Sequence, residues 1–196
     1  MKILVIGDEE RAVYHPLGRL VEGIYRGLET AAGMTFQTEY RKLTKEDLSA
    51  YDVVISYIDS YQTLGSYVDV LAGYIEEGGH FLALHNGIIS EDGSSLEKAL
   101  GGNFIDHPPY CELTYYRYGE KLCTMGEEAY MVRQTDDKNE IFLEFEYEGV
   151  RYPAGWYRRS GKGVAAYLAP GHDEKTGERE SFQTLLRETV QMLAAL

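Results

Sequence analysis

The chain has 196 residues, 44% of them apolar, with 32 acidic against 19 basic side chains and a formal net charge of −13. That length and apolar share suit one folded domain with a substantial core, and exclude a disordered or low-complexity chain. The negative charge repels phosphate backbones and anionic lipid, so neither nucleic acid nor a membrane surface is expected as a partner.

Lys2–Gly7 (KILVIG) is a continuous apolar run, the composition of a strand buried on both faces. It is too short for the core of a signal peptide and has no cleavage site, and no apolar run reaches the ~20 residues of a membrane helix. The expected location is therefore cytoplasmic. A loop runs to His15, and Pro16 suits the first turn of a helix. Leu17, Leu20, Val21, Ile24, Tyr25, Leu28 and Ala31 recur at helical spacing and predict an amphipathic helix ending at Gly33. Residues 35–40 predict a second strand, Thr44 opens a short turn or helix, and residues 51–57 (YDVVISY) predict a third strand. Leu64, Tyr67, Val68, Leu71, Tyr74 and Ile75 predict another helix, closed by Gly78-Gly79. Residues 80–85 (HFLALH) read as the fourth strand. This β-α-β-α-β-α-β pattern predicts a doubly wound, mostly parallel α/β sheet with helices on both faces.

A short helix is predicted over Ser95–Leu100. Residues 111–118, 129–134, 141–147 and 150–156 then read as strands, punctuated by Gly119, Asp136-Asp137 and Glu148-Gly149. They predict an antiparallel extension from the middle of the chain. Residues 163–169 return to buried-strand composition, and Phe182, Leu185, Leu186, Thr189, Val190 and Leu193 mark the closing helix. No internal repeat or long linker divides the chain, so residues 1–196 are expected to form a single domain. Cys111 and Cys123 lack metal-type spacing and are expected as free thiols, placed where they could face each other across a hairpin.

Sites in open α/β sheets lie at the carboxyl ends of the strands. His15, His85, His107 and His172 all fall at or just after predicted strand ends or in loops nearby; His80 begins a strand and is assigned to the structure. Ala83-Leu84-His85-Asn86-Gly87 has the shape of a nucleophile elbow, with an imidazole where Ser or Cys would stand. An imidazole cannot replace a thiolate in amide hydrolysis. The plainer reading is a tight turn that needs only Gly87. No P-loop and no G-x-G-x-x-G follows the first strand, and the acids of Gly7-Asp8-Glu9-Glu10 would repel a pyrophosphate. A nucleotide cofactor is not expected, nor is a Ser-His-Asp hydrolase.

Five segments carry a family resemblance: residues 78–85, residues 101–108 (GGNFIDHP), Glu127-Glu128-Ala129-Tyr130, Pro153-Ala154-Gly155-Trp156, and residues 161–173 ending in Gly171-His172-Asp173. Their order resembles that of ThuA-like proteins, the trehalose-utilisation family, relatives of the class I glutamine amidotransferases. The resemblance covers nearly the whole chain. It implies a flavodoxin-like, amidotransferase-type fold and a role near carbohydrate metabolism, without glutaminase activity because the nucleophilic Cys is absent. Carried over position by position, it implies a site of His15, His85, His107, Glu128, Tyr130, Trp156 and His172. The chain departs from the family at Glu127-Glu128, where Asp-Glu is common, and at Asn86, where Ser or Ala often follows the strand-four histidine. It is also shorter than many relatives.

Three functional readings follow. In the first, the protein is an enzyme acting on a sugar or sugar derivative, with His85, His107 and His172 as acid/base groups and Glu128 as their carboxylate partner. His15, Tyr130, Trp156 and Asn86 then bind substrate, the two aromatic rings packing on a sugar face; the alternative for Trp156 is core packing. In the second, the same histidines and the carboxylate hold a divalent metal such as Zn²⁺, with ligands drawn from separate loops because no HxxxH or HExxH spacing is present. No other cofactor is expected. In the third, the domain is a non-catalytic binding or interaction module, its 17 tyrosines lining an interface and its middle strands forming a homodimer. His172-Asp173-Glu174 is similar to the His-x-Glu pair of amidotransferases, or else its acids cap the loop before the last helix.

Overall fold

The computed structural model describes residues 1–29 and 33–196. In chain order, β1 (Lys2–Gly7) leads through α1 (Val21–Leu28) to β2 (Gly33–Gln37), α2 (Lys45–Leu48), β3 (Val53–Tyr57), α3 (Tyr67–Glu76) and β4 (His80–Leu84). After α4 (Ser95–Leu100) come β5 (Gly102–Asp106), β6 (Cys111–Arg117), β7 (Glu120–Glu127), β8 (Met131–Gln134), β9 (Glu140–Tyr147) and β10 (Val150–Ser160). β11 (Gly163–Leu168), α5 (Glu174–Gly177) and α6 (Glu180–Ala195) complete the chain.

The large sheet has the order β2-β1-β3-β4-β11-β10-β9-β6-β7. Strands β2, β1, β3, β4 and β11 pair in parallel; β10, β9, β6 and β7 continue the sheet antiparallel. The antiparallel extension is thus nearly as wide as the parallel half. β5 and β8 form a separate antiparallel ribbon. β3 and β11 are buried at every residue and β1 at all but its first, as expected for strands covered on both faces. Helices α1, α5 and α6 pack on one another, and α3 packs on both α2 and α4. All six apolar-face positions expected in the closing helix are buried. No helix among the described residues is long and apolar enough to cross a membrane.

Several boundaries differ from the sequence expectation. The first helix is split into a 3-10 turn at Leu17–Arg19 and α1, with the Leu20 amide bonding only three residues back, to the Leu17 carbonyl at 2.9 Å. Tyr25, assigned to its apolar face, is exposed, and Ala31 lies outside the described residues. Gly33 does not stop that helix; it opens β2, pairing with Lys2. The second strand ends at Gln37 rather than Tyr40, whose chain turns so that its buried hydroxyl donates to Asp8 at 3.0 Å. β5 and β7 were not expected as strands. The β7 sequence EKLCTMGE has no clean apolar alternation, and the hairpin register with β6 makes the strand. β10 runs past Trp156 to Ser160, with Pro153 tolerated beside a register irregularity. Cys111 opposes Glu127 and Cys123 opposes Tyr115, so the two thiols lie in neighbouring strands but do not face each other; both are free.

Candidate functional site

The carboxyl ends of β1, β3, β4 and β11 bring together residues far apart in sequence. At the end of β4 the chain enters a 3-10 turn, His85–Ile88, with His85 held at φ 48°. A non-glycine residue there is strained, and the packing around it must hold the strain. A Cβ on Gly87 would overlap the Ser56 carbonyl oxygen, so only glycine lets the turn pass this close to β3. The turn therefore has an elbow's strained backbone as well as its glycine, and it carries an imidazole.

His85 is wholly buried, and its Nδ1 lies 2.7 Å from the Ala169 carbonyl. A carbonyl only accepts, so Nδ1 carries the proton and Nε2 presents a lone pair. Burial depresses its pKa to about 4 and keeps the ring neutral. His15, in the loop after β1, places Nδ1 2.8 Å from Asp59 Oδ1, which turns its Nε2 to the same centre. Burial disfavours the His15 charge, but the Asp59 hydrogen bond and the carboxylates of Asp59 and Glu128 outweigh it and raise the pKa.

Glu128, just past β7, completes the group. Its Oε2 lies 3.4 Å from His15 Nε2, 3.5 Å from His85 Nε2 and 3.2 Å from His172 Nδ1. His15 Nε2 and His172 Nδ1 are 3.2 Å apart. Burial disfavours the charge on Glu128, yet the three imidazoles hold its carboxyl far below the usual range. His85 Nε2 and Glu128 Oε2 are both buried acceptors with no hydrogen-bond partner among the described residues. Two acceptors facing each other call for a cation between them. The four donor atoms all lie within 4.8 Å of one another. A tetrahedral ion with bonds of about 2.0–2.1 Å separates its ligand atoms by roughly 3.3 Å, close to the four short spacings here. The donor set, three imidazoles and a carboxylate, suits zinc and similar divalent ions.

The centre opens into a cleft of about 960 Å³. Its wall includes Tyr14, Tyr61, Gln62, Phe104, His107 and Tyr130. Tyr130 stacks on His85 with centroids 4.1 Å apart and lies 5.6 Å from the His107 ring. His107 is the more exposed histidine of the site, with Nδ1 3.9 Å from Glu128 Oε1 and 3.0 Å from the Pro108 carbonyl.

Of the residues nominated from sequence, His15, His85, His172 and Glu128 meet, with His107 and Tyr130 beside them. Two do not reach the cleft. Trp156 is fully buried, its indole N–H donates to the Leu100 carbonyl at 2.9 Å, and its ring packs on Tyr167. Asn86 is likewise wholly buried behind the elbow. Asp173 caps α5 by accepting from the Thr176 amide, as the capping alternative for this segment expected.

Sequence reasoning missed Asp59 and Asp8. Asp59 Oδ1 holds His15, while Oδ2 accepts the Val13 and Tyr14 amides at 2.6 and 2.9 Å. Asp8 in turn accepts the Asp59 and Ser60 amides. Both acids follow strands β1 and β3 at their carboxyl ends, so the strand-end rule applied to histidines would have found them as well. Asp59→Asn leaves one carbonyl oxygen for three donors. Zinc affinity measured by competition with a chelator is expected to fall by roughly 10–100-fold, the usual cost of removing the group that orients a metal-ligating histidine. An unchanged affinity would remove Asp59 from this role.

The ThuA family profile, described as trehalose utilisation, matches residues 2–192. A ThuA-like protein from Bacteroides uniformis superposes with a TM-score of 0.74 at 17% identity, over 99% of this chain and 91% of that one. A ThuA-like protein from Parabacteroides merdae gives 0.76 at 14%, over 99% and 90%. A β-galactosidase from Bacillus circulans sp. alkalophilus gives 0.67 at 14%, where 98% of this chain covers 30% of that enzyme. No curated protein sequence matches the chain.

Proposed function

The chain belongs to the ThuA family, and from that premise we propose that it is a cytoplasmic enzyme of carbohydrate metabolism, acting on a sugar or sugar derivative at a divalent metal held by His15, His85, Glu128 and His172. The observation that carries this reading is the meeting of two unprotonated, buried acceptors, His85 Nε2 and Glu128 Oε2, inside a set of four donor atoms that all lie within 4.8 Å of one another. A bound divalent ion would supply Lewis acidity toward a substrate oxygen. The protein's own groups do the rest. His107, half-exposed at the cleft and not needed to complete the four-donor set, is the group available to move a proton to or from substrate. Tyr130, with Phe104 beside it, offers an apolar wall against which a sugar ring can lie. His85 occupies the elbow in place of a nucleophile, so glutaminase chemistry is not proposed.

The test is metal analysis of protein purified without a histidine tag, followed by a screen of sugars, keto-sugars and sugar acids with and without chelator. Near-stoichiometric zinc or another divalent ion, and turnover that chelator removes and metal restores, is the expected result. Metal content near zero after dialysis against zinc, with turnover intact, would overturn the metal and favour acid/base catalysis by the histidines alone.

A further inference from the structure

Three histidines enter the four-donor centre, but only two have their rings anchored. His15 is held by Asp59 and His85 by the Ala169 carbonyl, each through Nδ1. His172 instead turns Nδ1 into the centre, and its Nε2 has no protein hydrogen-bond partner among the described residues. With no hydrogen bond to steer the ring beyond its packing against Tyr110, 5.4 Å away between centroids, its position depends on the main chain that carries it. That segment follows β11 and is gripped from both sides. Glu127 Oε1 accepts the Gly171 amide at 2.9 Å and the His172 amide at 3.3 Å. From the opposite polarity, the Tyr57 hydroxyl donates to the Gly171 carbonyl at 2.8 Å, with the His172 carbonyl also in reach at 3.2 Å. Gly171 sits at φ 141°, which glycine adopts freely, so the grip sets the segment's position without a backbone cost there.

Glu127 and Tyr57 are both wholly buried, and the next residue after Glu127 is the centre's own carboxylate, Glu128. One turn of chain at the end of β7 thus supplies a donor to the centre and a clamp on the segment bearing another donor. We infer that Glu127 and Tyr57 are the positioning residues of His172, setting through its backbone the ring geometry that Asp59 and Ala169 set directly for the other two histidines. This inference rests on the metal reading for its consequence, but the clamp itself is made by the chain's own hydrogen bonds.

The test uses Glu127→Leu, which cannot accept, and Glu127→Gln, which keeps one carbonyl oxygen for the two amides. Zinc affinity of the folded protein is expected to fall by roughly 10–100-fold in Glu127→Leu and to return to within a few-fold of wild type in Glu127→Gln. Amide hydrogen exchange at Gly171 and His172, read without metal, is expected to accelerate by more than about tenfold in Glu127→Leu and to stay protected in Glu127→Gln. Wild-type affinity in Glu127→Leu, or equal loss in both variants, overturns the inference. Should Glu127→Leu fail to fold, Tyr57→Phe takes its place: unchanged zinc affinity and unchanged exchange at Gly171 and His172 would overturn it. If the wild-type protein takes up no zinc, the proposed function fails, and the exchange measurement still decides the clamp.

Discussion

Glu128→Gln is expected to weaken zinc binding by more than about 100-fold, beyond the loss that follows when only an outer-shell partner is removed. The substitution keeps the side chain's shape and removes its charge. Glu128 Oε2 stands within 3.2–3.5 Å of all three imidazoles, so this one oxygen lies next to every other member of the group. Without that charge, the depressed pKa of His85 leaves a neutral ring and the raised pKa of His15 loses one of its causes. Isothermal titration with zinc, on variants whose circular dichroism matches wild type, measures the change. Affinity within threefold of wild type would mean that Glu128 is not a ligand and that the centre is a hydrogen-bonded histidine cluster.

Trp156→Ala is expected to destabilise the fold by about 3–5 kcal/mol, the range for truncating a fully buried aromatic side chain. The residue has no exposed surface, packs on Tyr167 with centroids 4.7 Å apart, and satisfies the Leu100 carbonyl at the end of α4. For a chain of this size such a loss lowers Tm by roughly 6–20 °C. Trp156→Phe keeps most of the volume and loses the hydrogen bond, so it should lie between. Neither variant should change ligand affinity at temperatures where it is folded, because the indole does not line the cleft. Selective loss of sugar binding in Trp156→Phe, with Tm unchanged, would restore the substrate-stacking role that the sugar-enzyme reading gave it.

The contrast between Trp156 and His85 shows how far the sequence could be read. Both were nominated as site residues, and both are completely buried. His85 ends a strand at the carboxyl edge of a parallel sheet, where chain direction alone places it near other strand ends. Trp156 sits in mid-strand, where its inward or outward face depends on a register broken at Pro153 and Gly155. Strand-end position was legible; the facing of a residue in an irregular antiparallel strand was not. The same limit applied to β7. Its sequence carries little strand signal, yet pairing with β6 forms it and its last turn delivers Glu127 and Glu128 to the site.

The amino-acid sequence by itself determined the parallel half of the sheet, the closing helix, the family and the histidines at the strand ends. Those features are written in local patterns: continuous apolar runs, helical periodicity and short motifs in order. The tertiary structure alone decided that Glu127 grips the segment bearing His172, which histidines are anchored and by what, and that Trp156 belongs to the core. These are contacts between residues 44 to 157 positions apart. They depend on strand order and register, which no local pattern in the chain encodes.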